Sequence, residues 1–156
     1  ILQIGALQRF WGSLVNMLTV VTGPPCGGKS TFIAESCNPG DIVIDMDRIA
    51  LALSPEGTEP FTYSDSVRTV ARSARKAAVR AALGVAQAQR RMGVWVIHTD
   101  PSNDERSVYR YAGARFVEVN PGRLVCLERL KRRPLKNQQI ARDVIDGYFQ
   151  KRPSNV

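Results

Sequence analysis

Short apolar runs alternate with longer stretches of helical periodicity along this chain. Four runs that read as buried strands lie at residues 17–21, 42–44, 94–97 and 115–119. Apolar residues spaced three and four apart, together with capping residues, predict helices at 31–37, 45–53, 63–91, 104–112, 121–132 and 137–150. Because strands and helices alternate, and the strands lack a polar face, the pattern predicts an α/β fold with a parallel sheet of about four to five strands and helices on both faces.

Length and composition indicate one globular domain. The chain has 156 residues, of which 44% are hydrophobic and 23% are charged, and no apolar stretch approaches the length of a membrane span. We expect residues 17–156 to form the domain, with residues 1–16 as an extension or cloning remnant before Met17. The alternative is that residues 7–15 form a small helix packed on the domain. The three cysteines lack metal-ligand spacing, which predicts reduced thiols and a cytoplasmic location.

A glycine-rich segment directly after the first strand carries the strongest chemical signal. The sequence from Gly23 to Ser30, GPPCGGKS, fits the phosphate-binding pattern G-x-x-x-x-G-K-[ST] at every fixed position. Backbone N–H groups in such a loop point at phosphate oxygens, and the helix that follows directs its positive end at the same phosphates. Lys29 is expected to neutralise the β- and γ-phosphates and Ser30 to ligate Mg²⁺. The expected nucleotide contacts are Gly23, Pro24, Pro25, Cys26, Gly27, Gly28, Lys29, Ser30 and Thr31.

A second candidate follows the second strand as the sequence Asp45-Met46-Asp47-Arg48. An aspartate there can accept a proton from an attacking hydroxyl or bind Mg²⁺, and Arg48, three residues on, can hold a substrate phosphate. The alternative is that Asp45 only caps a helix and Arg48 is a surface charge. The end of the third strand offers His98 and Asp100, and Asp100 is either a substrate contact or a turn residue. Ligands of parallel sheets bind beyond the carboxyl ends of the strands, where all these residues fall.

Positive charge is concentrated in two segments. The chain has a formal net charge of +8, and most of its cations lie in residues 65–91 and 128–152. Arg68 and Arg72, in the first segment, are expected to contact the substrate. Two basic segments on a neutral body indicate a polyanionic partner such as nucleic acid. The alternative is a solvated helical face whose charge serves solubility.

These motifs together resemble the P-loop kinases of the bacteriophage polynucleotide kinase type. The matching residues are Lys29 and Ser30 of the loop, the pair Asp45 and Arg48, and a late basic segment, and the resemblance runs through most of residues 17–150. It implies a three-layer P-loop NTPase fold, in which Asp45 activates a 5′-hydroxyl and Arg48 holds the neighbouring phosphate. It also implies a lid near residues 129–136, from which Arg129 with Arg132 or Arg133 neutralises the transferring phosphoryl group.

The sequence therefore predicts a kinase that moves the γ-phosphate of ATP, or of another nucleoside triphosphate, to a hydroxyl with Mg²⁺ as cofactor. The first candidate acceptor is the 5′-hydroxyl of a polynucleotide. One alternative is a small acceptor: a nucleoside, a modified base in DNA, a sugar or an antibiotic. Another is a nucleic-acid-stimulated NTPase or binding module.

Overall fold

The sheet and its helices follow the predicted alternation. A computed structural model describes residues 18–88 and 92–152 and contains, within them, one four-stranded sheet and six helices. The expectations for residues 1–16, including a helix at 7–15, lie outside the described residues. Of these six helices, none has the length and apolar character that a bilayer crossing requires. Cys26, Cys37 and Cys126 are all free thiols.

Ten elements follow one another along the chain, and each lies close to a predicted one. In chain order they are β1 (Leu18–Thr22), α1 (Lys29–Ser36), β2 (Ile42–Ile44), α2 (Met46–Ala52), α3 (Asp65–Ala88), β3 (Val94–His98), α4 (Asn103–Tyr111), β4 (Arg115–Glu118), α5 (Arg123–Leu130) and α6 (Leu135–Gln150). The predicted helix at 121–132 is shorter because Gly122 has a φ of 95° before its first turn. The last helix begins two residues early, with Pro134 at its N-cap.

All strands of the sheet are parallel, and they lie in the order β2-β3-β1-β4. Leu18 pairs with Val94 on one side of β1, and Thr19 pairs with Arg115 on the other. The chain therefore leaves every strand at the same edge of the sheet. This edge is where the segments after β1, β2, β3 and β4 meet.

Helices cover both faces of the sheet. Val20 and Val96 are fully buried on one face, in a cluster with Val79 of α3. Val21 and Trp95 face the other way and pack with Ile33 of α1. This alternation of neighbouring residues between faces is the period-2 pattern of a strand buried on both sides, and it produces a three-layer α/β arrangement.

Asp41 fixes the position of β2 beside β3. Its carboxylate accepts hydrogen bonds from the backbone N–H groups of Gly93 (2.8 Å) and Asn38 (2.9 Å), and from Nε1 of Trp95 (2.9 Å). Burial alone would raise the pKa of Asp41, but these three donors outweigh burial and the pKa is lowered. The sequence analysis did not single out this residue, since two of its partners, Gly93 and Trp95, are distant along the chain.

Helices α5 and α6 pack on each other through a small cluster of their own. Its buried members are Cys126, Leu130, Ala141 and Ile145, and Cys26 of the glycine-rich segment packs against it. The pair of helices is thus anchored beside the carboxyl edge of the sheet.

Ile145→Ala is predicted to destabilise the protein, because Ile145 is 0% exposed and its truncation leaves a cavity between α5 and α6. The expected loss in the free energy of unfolding is about 2–5 kcal/mol, measured by urea denaturation. The matched control is Ile140→Ala on the same helix, where the side chain is 54% exposed and the expected change is within about 0.5 kcal/mol. Equal losses in the two variants would contradict the assigned core.

Candidate active site

An open cleft of about 1340 Å³ lies at the carboxyl edge of the sheet. It is bounded by the segments that follow the four strands, by one face of α3, and by the chain from α5 into α6. Most of the residues predicted to carry chemistry line it. They are Pro25, Cys26, Gly27, Gly28, Lys29, Ser30, Thr31, Asp45, Arg68, Arg72, Asp100, Arg129 and Arg133.

The glycine-rich loop, residues 23–30, is held against both neighbouring strand ends. The backbone N–H of Gly23 donates to the carbonyl of Thr99 (3.2 Å), and that of Val119 donates to the carbonyl of Thr22 (2.8 Å). Gly23 has a φ of 140°, and a Cβ placed on it would lie 2.1 Å from the carbonyl oxygen of Val119. Only glycine fits at this position, because the backbone of the segment after β4 occupies the space of a side chain.

Lys29 is the first residue of α1, and its ammonium group is turned back into the loop. Its Nζ donates to the carbonyl oxygens of Gly23 and Pro24, each at 2.8 Å, and the residue is 8% exposed. Burial and then the charge of Arg133 lower the pKa of Lys29 to about 8, while the charge of Asp45 opposes this shift. A buried cation whose electrostatic neighbours include another cation is favoured by an anionic ligand.

Asp45 is the one residue between β2 and α2, and it is 9% exposed. Its Oδ1 accepts a hydrogen bond from the backbone N–H of Asp47 (3.0 Å), so that Asp45 is the N-cap of α2 and also lines the cleft. The two interpretations raised by the sequence, helix cap and cleft residue, are therefore compatible. Asp47 also lines the cleft, and burial together with the charge of Asp45 raises its pKa.

Arg48 does not lie among the residues that line the cleft, although it is three positions from Asp45. Its side chain is exposed on α2, because the face of α2 toward the protein is taken by Ile49 and the buried Ala50, which pack near α3. The expectation that Arg48 meets a substrate beside Asp45 is not met in this arrangement. Arg72 of α3 lines the cleft instead.

The segment from α5 into α6 brings two of its three candidate arginines into the cleft. Arg129 donates from Nη1 to the carbonyl of Cys26 (3.2 Å) and so reaches the glycine-rich loop. The Arg133 guanidinium lies 3.9 Å from the ring centre of Phe61. Arg132 is exposed and is not part of the cleft lining. Of the two alternatives that the sequence left open, Arg133 is therefore the one that lines the cleft together with Arg129.

Helix α3 contributes four cations to the cleft wall: Arg68, Arg72, Arg75 and Lys76. Arg68 donates to the carbonyl of Tyr63 (3.3 Å) and to Oδ1 of Asn137 (3.4 Å), so it ties α3 to α6. Arg75 donates to the carbonyl of Ile97 (3.2 Å) at the end of β3. Arg72 and Lys76 donate no hydrogen bond to any described residue, and their side chains are exposed, which leaves their charges available to a ligand.

Asp100 is committed to ion pairs. It meets Nη2 of Arg152 at 2.7 Å, Nη2 of Arg106 at 3.5 Å and Nζ of Lys151 at 3.8 Å. The hydrogen bond from Arg152 is the main reason why the pKa of Asp100 is lowered. Although Asp100 lines the cleft, these contacts tie the chain after α6 to the end of β3 and favour a structural role over a substrate contact.

Ser30 and Asp45 are the candidate metal ligands that the sequence predicts, and both line the cleft. Residues 18–88 and 92–152 contain no group of three or more His, Cys, Asp and Glu side chains that could hold a metal. Mg²⁺ is usually held by one or two protein oxygens together with water and substrate phosphates. The Ser30 hydroxyl, exposed at the start of α1, and the cleft-lining carboxylate of Asp45 fit that requirement.

Several cleft residues were not predicted as site residues, and Asp47, Phe61, Tyr63 and Asn137 are among them. The sequence analysis gives Asp47 no role within the segment 45–48, and residue 137 appears there only as the start of a predicted helix. Phe61 has a φ of 70°, unusual for a bulky residue, and no sequence pattern indicated it. Asp47 reaches the cleft from the first turn of α2, Phe61 and Tyr63 from the loop before α3, and Asn137 from the first turn of α6.

Comparison with models of known protein families and with curated proteins finds no significant match to this chain.

Gly23→Ala is predicted to destabilise the protein by about 2 kcal/mol or more, because the added methyl group would meet the Val119 carbonyl. The measurement is the free energy of unfolding. The control is Gly84→Ala within α3, where nothing lies within 4 Å of the added atom. That variant is expected to gain about 0.5–1 kcal/mol from the higher helix propensity of alanine. A neutral Gly23→Ala variant would show that the loop does not need this close approach.

Proposed function

We propose that the protein is a P-loop kinase, which transfers the γ-phosphate of a nucleoside triphosphate to a hydroxyl group. The observation that carries this proposal is that one cleft contains both the buried ammonium of Lys29 and the carboxylate of Asp45. The first is a cation at a glycine-rich loop, suited to phosphate. The second is a base at the neighbouring strand end, suited to a hydroxyl.

The phosphate half of the proposed site consists of the glycine-rich loop and the start of α1. Unpaired N–H groups at a helix N-terminus and a loop with left-handed residues, here Cys26 (φ 60°) and Gly28 (φ 98°), can converge on an anion. Lys29 adds a full positive charge, and Arg129 reaches the same loop from α5. When bound with the nucleotide, Mg²⁺ would be held by the Ser30 hydroxyl together with phosphate oxygens and water, and would neutralise phosphate charge.

The acceptor half lies on the side of Asp45 and α3. In the proposed reaction the acceptor oxygen attacks the γ-phosphorus as the bond to the β-phosphate oxygen breaks, and the hydroxyl proton passes to Asp45. Arg133 and Arg129 face the cleft from the lid and supply positive charge to the transferring group. Holding both reactants in line is the main contribution of such a site.

A polynucleotide is the proposed acceptor, because α3 places Arg72 and Lys76 on the cleft wall without protein partners among the described residues. Residues four apart lie on one side of a helix, about 6 Å apart along its axis. Successive phosphates of a strand can therefore each meet one cation. Such contacts release counterions, so we expect binding to weaken steeply with salt.

Transfer of labelled γ-phosphate from ATP and Mg²⁺ to a 5′-hydroxyl oligonucleotide, DNA and RNA in parallel, is the direct test. Asp45→Asn keeps an oxygen that can cap α2 but removes the base, so the rate should fall by about 10²–10⁴-fold. Nucleotide binding, measured by calorimetry, should be retained in this variant, and Lys29→Ala should abolish transfer.

Asp104→Asn is the matched control, since Asp104 is an exposed carboxylate in the first turn of α4 and does not line the cleft. Its rate should equal that of the unaltered protein. Unchanged transfer in Asp45→Asn would remove Asp45 from the mechanism. Label on nucleosides or metabolites but not on oligonucleotides would assign a small acceptor. Acceptor-independent ATP hydrolysis stimulated by DNA would assign an NTPase.

Nucleotide affinity is predicted to fall as the pH rises through about 8. The pKa of Lys29 is lowered to about 8 by its burial, so this side chain loses its charge in a range where an ordinary lysine keeps it. If binding requires the ammonium, Kd for ADP should rise about tenfold between pH 7.5 and pH 9. Lys29→Arg, which stays charged, should show a flat profile over the same range, whatever its affinity. A flat profile for the unaltered protein would contradict the role of Lys29.

A further inference from the structure

Phe61 adopts a backbone conformation that a bulky residue rarely takes. Its φ of 70° lies in the left-handed region, which costs a non-glycine residue of order 1–3 kcal/mol and is found preferentially at ligand-binding sites. The side chain is half-buried and lines the cleft. One face of its ring is covered by the guanidinium of Arg133 at 3.9 Å from the ring centre, so an aromatic ring and a cation meet at this point of the cleft wall.

Asn137, in the first turn of α6, is linked to the Phe61 backbone through Arg68 and has an unpartnered donor. It is 8% exposed, and its Oδ1 accepts a hydrogen bond from Nη2 of Arg68 at 3.4 Å. Because a guanidinium can only donate, this contact fixes the amide with its oxygen toward Arg68. Nδ2 is therefore the atom left over, and it is buried without a hydrogen-bond partner among the described residues. A buried unpaired donor is costly and calls for an explanation.

The contact lies on the acceptor side of the proposed site. Tyr63, two residues after Phe61, donates from its hydroxyl to the backbone carbonyl of Asp47 (3.1 Å). Arg68 donates to the carbonyl of Tyr63 and, at 3.5 Å, to that of Phe61. The segment that carries Phe61 is thus joined to α2, whose cap is Asp45. A group stacked on Phe61 belongs to the molecule that meets Asp45.

We propose that Phe61 and Arg133 form a slot for a heterocyclic base of the acceptor, inserted between ring and guanidinium, with Asn137 Nδ2 as hydrogen-bond donor to the base edge. The inference rests on the proposed function and assigns the acceptor to the nucleotides. It gives the strained backbone of Phe61 a role in ligand binding, and it gives the Asn137 amide a hydrogen-bond partner when a base is bound.

Insertion of a base has a definite structural requirement. A stacked base occupies about 3.4 Å, so the first turn of α6 and the segment of Phe61 must separate by about that distance. The same movement lengthens the contact between Arg68 and Asn137 and opens Nδ2 to the base. Base stacking on aromatic side chains, assisted by an arginine cation, is a general mode of single-strand recognition.

The first experiment measures stacking without catalysis. An oligonucleotide with 2-aminopurine at its 5′ end is titrated with protein, and both its fluorescence and its anisotropy are recorded. We expect quenching on binding that is lost in Phe61→Gly and retained in Phe61→Tyr. Glycine is chosen because it accepts the left-handed backbone, and Phe61→Leu serves as the second variant without an aromatic ring. Tyr111→Ala, at a tyrosine 97% exposed and outside the cleft, is the control and should quench normally.

The second experiment compares phosphoryl transfer to two oligonucleotides. One carries a base on its 5′-terminal sugar, and the other is abasic at that position. The ratio of their kcat/KM values should be about tenfold or more in the unaltered protein and should approach one in Phe61→Gly and Phe61→Leu. A ratio unaffected by both substitutions overturns the slot, as does an effect confined to KM for ATP. Quenching that depends on Phe61, without transfer to any acceptor, would retain the slot and refute the kinase.

Discussion

The burial of one positive charge, on Lys29, is the constraint around which the cleft is organised. A buried ammonium group is stable only where hydrogen bonds and opposite charge replace its water. Two loop carbonyls accept from it at 2.8 Å, and they can do so only because the loop curls back at Gly23. That curl in turn requires the close approach to Val119. The hydrogen bonds of the Lys29 side chain therefore depend on the relative positions of β1, β4 and the loop.

Cations from separate parts of the chain meet at this same edge. Helix α3 supplies one wall and the segment from α5 into α6 supplies another, while the carboxylates of the cleft are only partly available to balance them. Asp100 is paired with Arg152 and two further cations, and Asp45 is bonded to the backbone of α2. This excess of unpaired positive charge is the reason why the proposed function takes a polyanion as its ligand.

The features that could be predicted are those that depend on residues close together in the sequence. Every strand and helix of the described residues was expected, because apolar periodicity and turn residues determine them. Lys29 and Asp45 reach the cleft as expected, since strand ends converge in any parallel sheet. Arg48 and Arg132 do not, because Arg48 lies on the exposed face of α2 and Arg132 lies exposed in the turn between α5 and α6. Phe61 and Asn137 could not be predicted, since Arg68 links them across distant parts of the sequence and Phe61 has a rare backbone conformation.

The cap formed by Asp45 has a consequence for selectivity. One carboxylate oxygen is held by the first turn of α2, and this hydrogen bond keeps the group from rotating. Among the described residues only that oxygen accepts a hydrogen bond, so the other is the one that can meet an incoming hydroxyl. On the proposed function, the direction of attack is then set by the axis of a helix rather than by a mobile side chain. Regioselectivity, the choice of one hydroxyl among several on the same sugar, would be a property of the backbone.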